Sequence, residues 1–68
     1  EKILPDEVPD KQYEFATSFL KVGDYPTAER AFREFVLTNP DHQLAGNAQY
    51  WYAETFRIRQ LYTDAASV

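Results

Sequence analysis

Sixty-eight residues that are 44% apolar and 16% aromatic, with five Phe, five Tyr and one Trp, are too hydrophobic for a disordered segment and enough for one small domain with a marginal core. The absence of cysteine excludes a disulfide staple and a thiolate metal site. A net charge of -4 and a pI near 4.7 argue against a nucleic-acid partner, and no apolar run nears the roughly 18 residues that span a bilayer.

Residues 1–9 hold a Pro-Asp-Glu-Val-Pro stretch and read as an extended acidic linker, because proline disfavours helix at its own position and the one before. From Asp10, placed as an N-cap after Pro9, the apolar residues Phe15, Ala16, Phe19 and Leu20 fall on one helical face, and Gly23 closes the helix near Val22. Asp24 then caps a second helix with Pro26 in its first turn, where a missing N–H costs nothing. So short a connection forces an αα-hairpin. The stripe Ala28, Ala31, Phe32, Phe35 and Val36 faces the first helix, its alanines letting the backbones approach, and Asn39-Pro40-Asp41 ends it.

A polar connection follows over 41–46, with a short turn expected around Leu44-Ala45. A third helix is predicted from about Asn47 to Gln60, carrying Ala48, Trp51, Tyr52, Ala53, Phe56 and Ile58 and apolar over much of its circumference. Tyr62 to Val68 is predicted to open a fourth helix, too short to stand without packing. Tyr25 and Tyr62 are 37 residues apart, as are Ala28 and Ala65, the spacing of stacked helix-turn-helix units.

Ala16, Phe19, Gly23, Tyr25, Ala28, Phe32 and Pro40 resemble the signature of a tetratricopeptide repeat, and Ala53, Phe56, Tyr62 and Ala65 match it again in the second unit. Gln12 stands where that family often has Trp, Phe35 where it usually has Ala, and Gln60-Leu61 replaces the Gly-Asp of the turn. The run Gly-Asp-Tyr, Ala-x-x-Ala-Phe-x-x-Phe, Asn-Pro-Asp and then Asn-Ala-Gln-Tyr-Trp-Tyr-Ala-Glu is similar to the C-terminal repeat domain of the Tol–Pal-associated cell-division coordinator family, with Ala48, Tyr50, Trp51 and Glu54 matching its next helix. The resemblance implies a periplasmic protein that binds the Tol energising protein and couples envelope constriction to peptidoglycan synthesis. It also implies a trimerising coiled coil, for which no heptads occur here.

No catalytic constellation emerges, and no cofactor or metal is expected. His42 is the single histidine and is expected to be an exposed loop residue, because no second ligand accompanies it. The serines and threonines lie in no nucleophile elbow, Gly23 and Gly46 build no phosphate loop, and the acidic residues near the start lack calcium-loop spacing. In the third helix Tyr52 and Phe56 are expected in the core and Trp51 against a neighbouring helix, while Asn47, Tyr50, Glu54 and Arg57 share another face. The equivalent stripe of the first unit is Asp10, Tyr13, Thr17 and Leu20. The resemblance places both stripes in a concave groove, which makes Tyr13, Thr17, Asn47, Tyr50, Glu54 and Arg57 the candidate partner contacts.

The expectation is therefore an all-α fold of about one and a half tetratricopeptide-type repeats over 10–68, a first repeat of about 10–40 and an incomplete second of 47–68. Its function is protein binding without catalysis. Chains of this pattern also serve as scaffolds of outer-membrane protein assembly lipoproteins or as docking arms of larger enzymes, and both alternatives stay open. Starting at Glu1, the chain reads as a piece or a mature product, and the uncovered faces of its last helices predict self-association.

Overall fold

The computed structural model describes residues 2–66, and of 63–66 the backbone course alone. Three helices follow one another, α1 (Pro9–Lys21), α2 (Tyr25–Thr38) and α3 (Ala45–Ala66), with no strand among the described residues. α2 lies between the other two and packs on both, whereas α1 and α3 share no extended interface. The core is therefore built around α2: Ala28, Ala31, Phe32 and Phe35 are fully buried, met by Ala16 from α1 and Ala48 from α3. Small residues at these contacts bring the helix axes close, so the two phenylalanines fill the space on either side.

The hairpin between α1 and α2 forms as its turn residues predict. Gly23 adopts φ 77°, a conformation that would strain any residue with a Cβ, and the Asp24 N–H donates to the Phe19 carbonyl at 2.9 Å. The Asp24 carboxylate accepts from the Thr27 N–H at 3.4 Å, and Pro26 sits in the first turn of α2. At the start of α1 the cap differs from expectation. Val8 is the N-cap, with no side-chain hydrogen bond, and Pro9 rather than Asp10 opens the helix, leaving Asp10 in the first turn where its charge favours the helix dipole.

The stretch expected as a linker has no helix over 2–8, yet it docks. Leu4 is 2% exposed in the core, and the Glu34 carboxylate accepts from the Ile3 N–H at 2.7 Å and the Leu4 N–H at 3.2 Å. Gln12 donates to the Pro5 carbonyl at 2.9 Å and accepts from Asn39 at 3.0 Å, which joins the lead-in, α1 and the end of α2.

Among the described residues the fourth helix predicted over Tyr62 to Val68 is not formed as a separate element, and residues 67 and 68 lie outside them. α3 runs unbroken for 22 residues through Gln60, Leu61 and Tyr62. After Gly46 in its first turn α3 contains neither glycine nor proline, and Gln and Leu are good helix formers, so the backbone continues its hydrogen bonding where Gly23 ends it in the first unit. Helix α3 also starts earlier than predicted, taking in Ala45 and Gly46 after a turn closed by the Ala45 N–H on the His42 carbonyl at 2.9 Å. Ala65 lies beyond the residues whose side chains are described.

One aromatic residue expected in the core and one expected on the apolar face of α1 are more exposed than their positions predict. Phe56 is 47% exposed, because the helix that would cover its face is absent once α3 stays straight. Phe15 is 39% exposed and rests edge-on against Phe19 at 5.2 Å. Trp51 and Tyr52 are half-buried and pack on the core cluster, as their positions predict.

Candidate functional site

α3 divides sharply into two faces. Ala48, Thr55 and the half-buried Trp51, Tyr52 and Arg59 turn toward α2, and the fully buried Thr55 hydroxyl donates to its own helix at the Tyr52 carbonyl, 2.9 Å away. Arg59 reaches across to Glu29 of α2 with Nε 2.8 Å from the carboxylate and its guanidinium 5.3 Å from the Phe56 ring centre. The hydrogen bond to Glu29, then its charge, raises the Arg59 pKa above the ordinary guanidinium value. This bond pins the far half of α3 to the hairpin.

On the opposite side lies the predicted stripe. Tyr50 is 58% exposed, Asn47 and Arg57 are exposed, and Glu54 is half-buried. The Arg57 guanidinium donates to the Glu54 carboxylate at 2.7 Å, and that bond, reinforced by the Glu54 charge, raises the Arg57 pKa above its usual value. The Tyr50 ring is held edge-on against Trp51 at 5.3 Å, so its orientation is set by a residue anchored in the core. Leu61, 58% exposed, extends the stripe by one turn. The sequence carried that signal in the i, i+4, i+7, i+11 spacing of Tyr50, Glu54, Arg57 and Leu61, hidden only by the expected break at residue 60.

The first-unit stripe is placed differently. Tyr13 is half-buried with its ring edge 5.7 Å from Phe32 and 5.7 Å from Phe35, which makes it part of the hairpin core. Thr17 is half-buried and its hydroxyl donates to the Glu14 carbonyl at 2.8 Å. The structure thus brings Asn47, Tyr50, Glu54 and Arg57 onto one surface and leaves Tyr13 and Thr17 on α1, apart from it.

His42, expected in solvent, is instead half-buried at the junction of three elements. Its Nδ1 accepts from the Leu44 N–H at 3.0 Å, its Nε2 lies 3.4 Å from the exposed Asp10 carboxylate, and its ring meets Phe35 edge-on at 5.9 Å. An accepting Nδ1 places the proton of the neutral ring on Nε2, facing Asp10. The imidazole is a clasp on the connection between α2 and α3.

Two open clefts mark the surface. One of about 420 Å³ runs beside Arg30, Arg33, Glu34 and Leu37 on α2; the other, about 390 Å³, is lined by Gly23, Tyr25, Pro26, Arg59 and Tyr62. Tyr25 and Tyr62, the two matching positions of the repeated pattern, stack here with ring centres 6.4 Å apart. No group of three or more His, Asp or Glu is arranged to hold a metal ion among the described residues, and no helix there is long and apolar enough to cross a membrane.

Over 42 residues, 62% of the chain, the sequence is 43% identical to the cell division coordinator CpoB of Pseudomonas putida strain KT2440. The likeness is to a cell-division protein. A second Pseudomonas putida protein of that name matches with the same 43% identity over 42 residues. The chain spans 16% of the length of these relatives. No family model matches the chain. No solved structure matches it significantly.

Proposed function

We propose that this chain is a protein-interaction module of tetratricopeptide type from a periplasmic, Tol–Pal-associated protein that coordinates envelope constriction with peptidoglycan synthesis. The reading is carried by the 43% identity over 42 residues to proteins named cell division coordinators. It is supported by the α1–α2 hairpin with its Gly23-Asp24 turn, which has the form of a repeat unit, and by the largely exposed stripe on α3 that the core does not use.

The module works by binding alone, without catalysis or cofactor. Tyr50 is the anchor, because an aromatic ring already held in place by Trp51 loses little freedom on contact, and Asn47, Glu54 and Arg57 supply directional polar contacts around it. The partner is the periplasmic part of the Tol energising protein. Titration calorimetry of the 68-residue chain with that purified domain tests this. Saturable binding that falls at least about tenfold in Tyr50→Ala and in Arg57→Ala, with helicity unchanged, is expected. Undetectable binding at about millimolar concentration, or binding by both variants as tight as that of the unsubstituted chain, overturns it.

A further inference from the structure

We infer that the exposed face of α3 pairs with the same face of a second copy of this chain, the two helices antiparallel about a two-fold axis. Residues 50, 54, 57 and 61, at about 100° per residue along the helix, fall within about 60° of arc, on a strip turned away from the residues buried on α2. They are also spaced symmetrically about a point midway between residues 55 and 56. An antiparallel mate centred there sets Tyr50 against Leu61 of the mate and Glu54 against Arg57, and the two-fold axis repeats both pairings in reverse. An aromatic ring meets an aliphatic side chain at each end, and an acid meets a base on each side of the centre. The stripe is complementary to itself in both shape class and charge.

The charges also answer why the second copy fits better than a parallel or shifted one. Glu54 and Arg57 are already bonded within the chain at 2.7 Å. Antiparallel pairing joins that bond to its symmetry mate as a ring of four alternating charges, whereas a parallel mate sets Glu54 on Glu54 and Arg57 on Arg57. Tyr50 and Leu61, each 58% exposed, lose their solvent contact in the same step. Arg59, Glu29 and the core stay untouched, because they occupy the opposite face.

The pairing uses the face assigned above to a protein partner, and it rests on that face being open rather than on who the partner is. Sedimentation of the chain alone reads the pairing, and calorimetry with the Tol domain reads the partner, so either can fail without the other. Sedimentation velocity should show the wild-type chain associating to dimers between about ten micromolar and one millimolar. Glu54→Arg alone and Arg57→Glu alone each place like charges opposite one another and should weaken self-association at least about tenfold. The two single variants mixed in equal amounts should associate with each other, because each then meets its opposite. The double variant carrying both changes should dimerise like the wild type. Circular dichroism of each variant checks the fold, and the double variant keeps the within-helix bond. A wild type that stays monomeric throughout overturns the inference. So do single variants that dimerise unchanged, and so does a mixture that fails to associate.

Discussion

His42 shows what a single side chain does in so small a protein. Its two nitrogens and its ring contact the loop, α1 and α2 respectively, and each contact is made by a different segment of the chain. Removing it leaves the half-buried Leu44 N–H without an acceptor and opens a gap beside Phe35. His42→Ala is therefore expected to cost about 1–2 kcal/mol, read as a lowered urea midpoint together with faster hydrogen exchange at the Leu44 amide. An unmoved midpoint would show that the loop holds without its clasp. The sequence could not reveal this role, because a histidine next to Asp41 in a polar run carries no local sign of the tertiary neighbours Asp10 and Phe35. By contrast Gly23, Asp24 and Pro26 act on their own backbone, and their effect was legible position by position.

Among the elements, α1 and α2 were readable because their stops and starts are chemical. Proline, glycine and capping carboxylates act within a few residues, so both ends of the hairpin lie close to their predicted places. α3 was misjudged at its far end for the converse reason. The repeated Tyr-x-x-Ala pattern argued for a second turn at Gln60-Leu61, but a pattern of side chains does not end a helix where neither glycine nor proline stands. Replacing Gln60→Gly and Leu61→Asp supplies the missing turn chemistry. The double change is expected to end α3 near residue 59, lowering the ellipticity at 222 nm and deprotecting the amides that follow, with the Gly alone costing about 1 kcal/mol of helix propensity. Unchanged ellipticity would mean that packing, including the Tyr25–Tyr62 stack, holds the helix straight against its own sequence.

For the whole molecule the question is how 68 residues hold together without a disulfide. The core is thin: alanines make the helix contacts, and Phe32 and Phe35 are its largest fully buried side chains. Leu4 then matters beyond its size, since it adds a large aliphatic side chain from outside the helices. Leu4→Ala is expected to cost about 2–4 kcal/mol, a large share of what a domain of this length has to lose. Equilibrium urea unfolding checks it, and a loss below about 1 kcal/mol would return residues 2–8 to the role of a linker. The Pro-rich composition of that stretch was a sound guide to its backbone and silent about its docking. Proline speaks of the conformations its own residue can adopt, and nothing in it anticipates the Glu34 carboxylate waiting across the molecule.

That docking sets how the molecule would respond to being pulled. Tension applied at its amino end does not load α1 along its axis. It is borne first by Leu4 seated in the core and by the Ile3 and Leu4 amides on Glu34, 31 and 30 residues along the chain and on the central helix. The strain enters at α2, which touches both other helices, and the domain would resist until those few bonds shear and then yield as one unit.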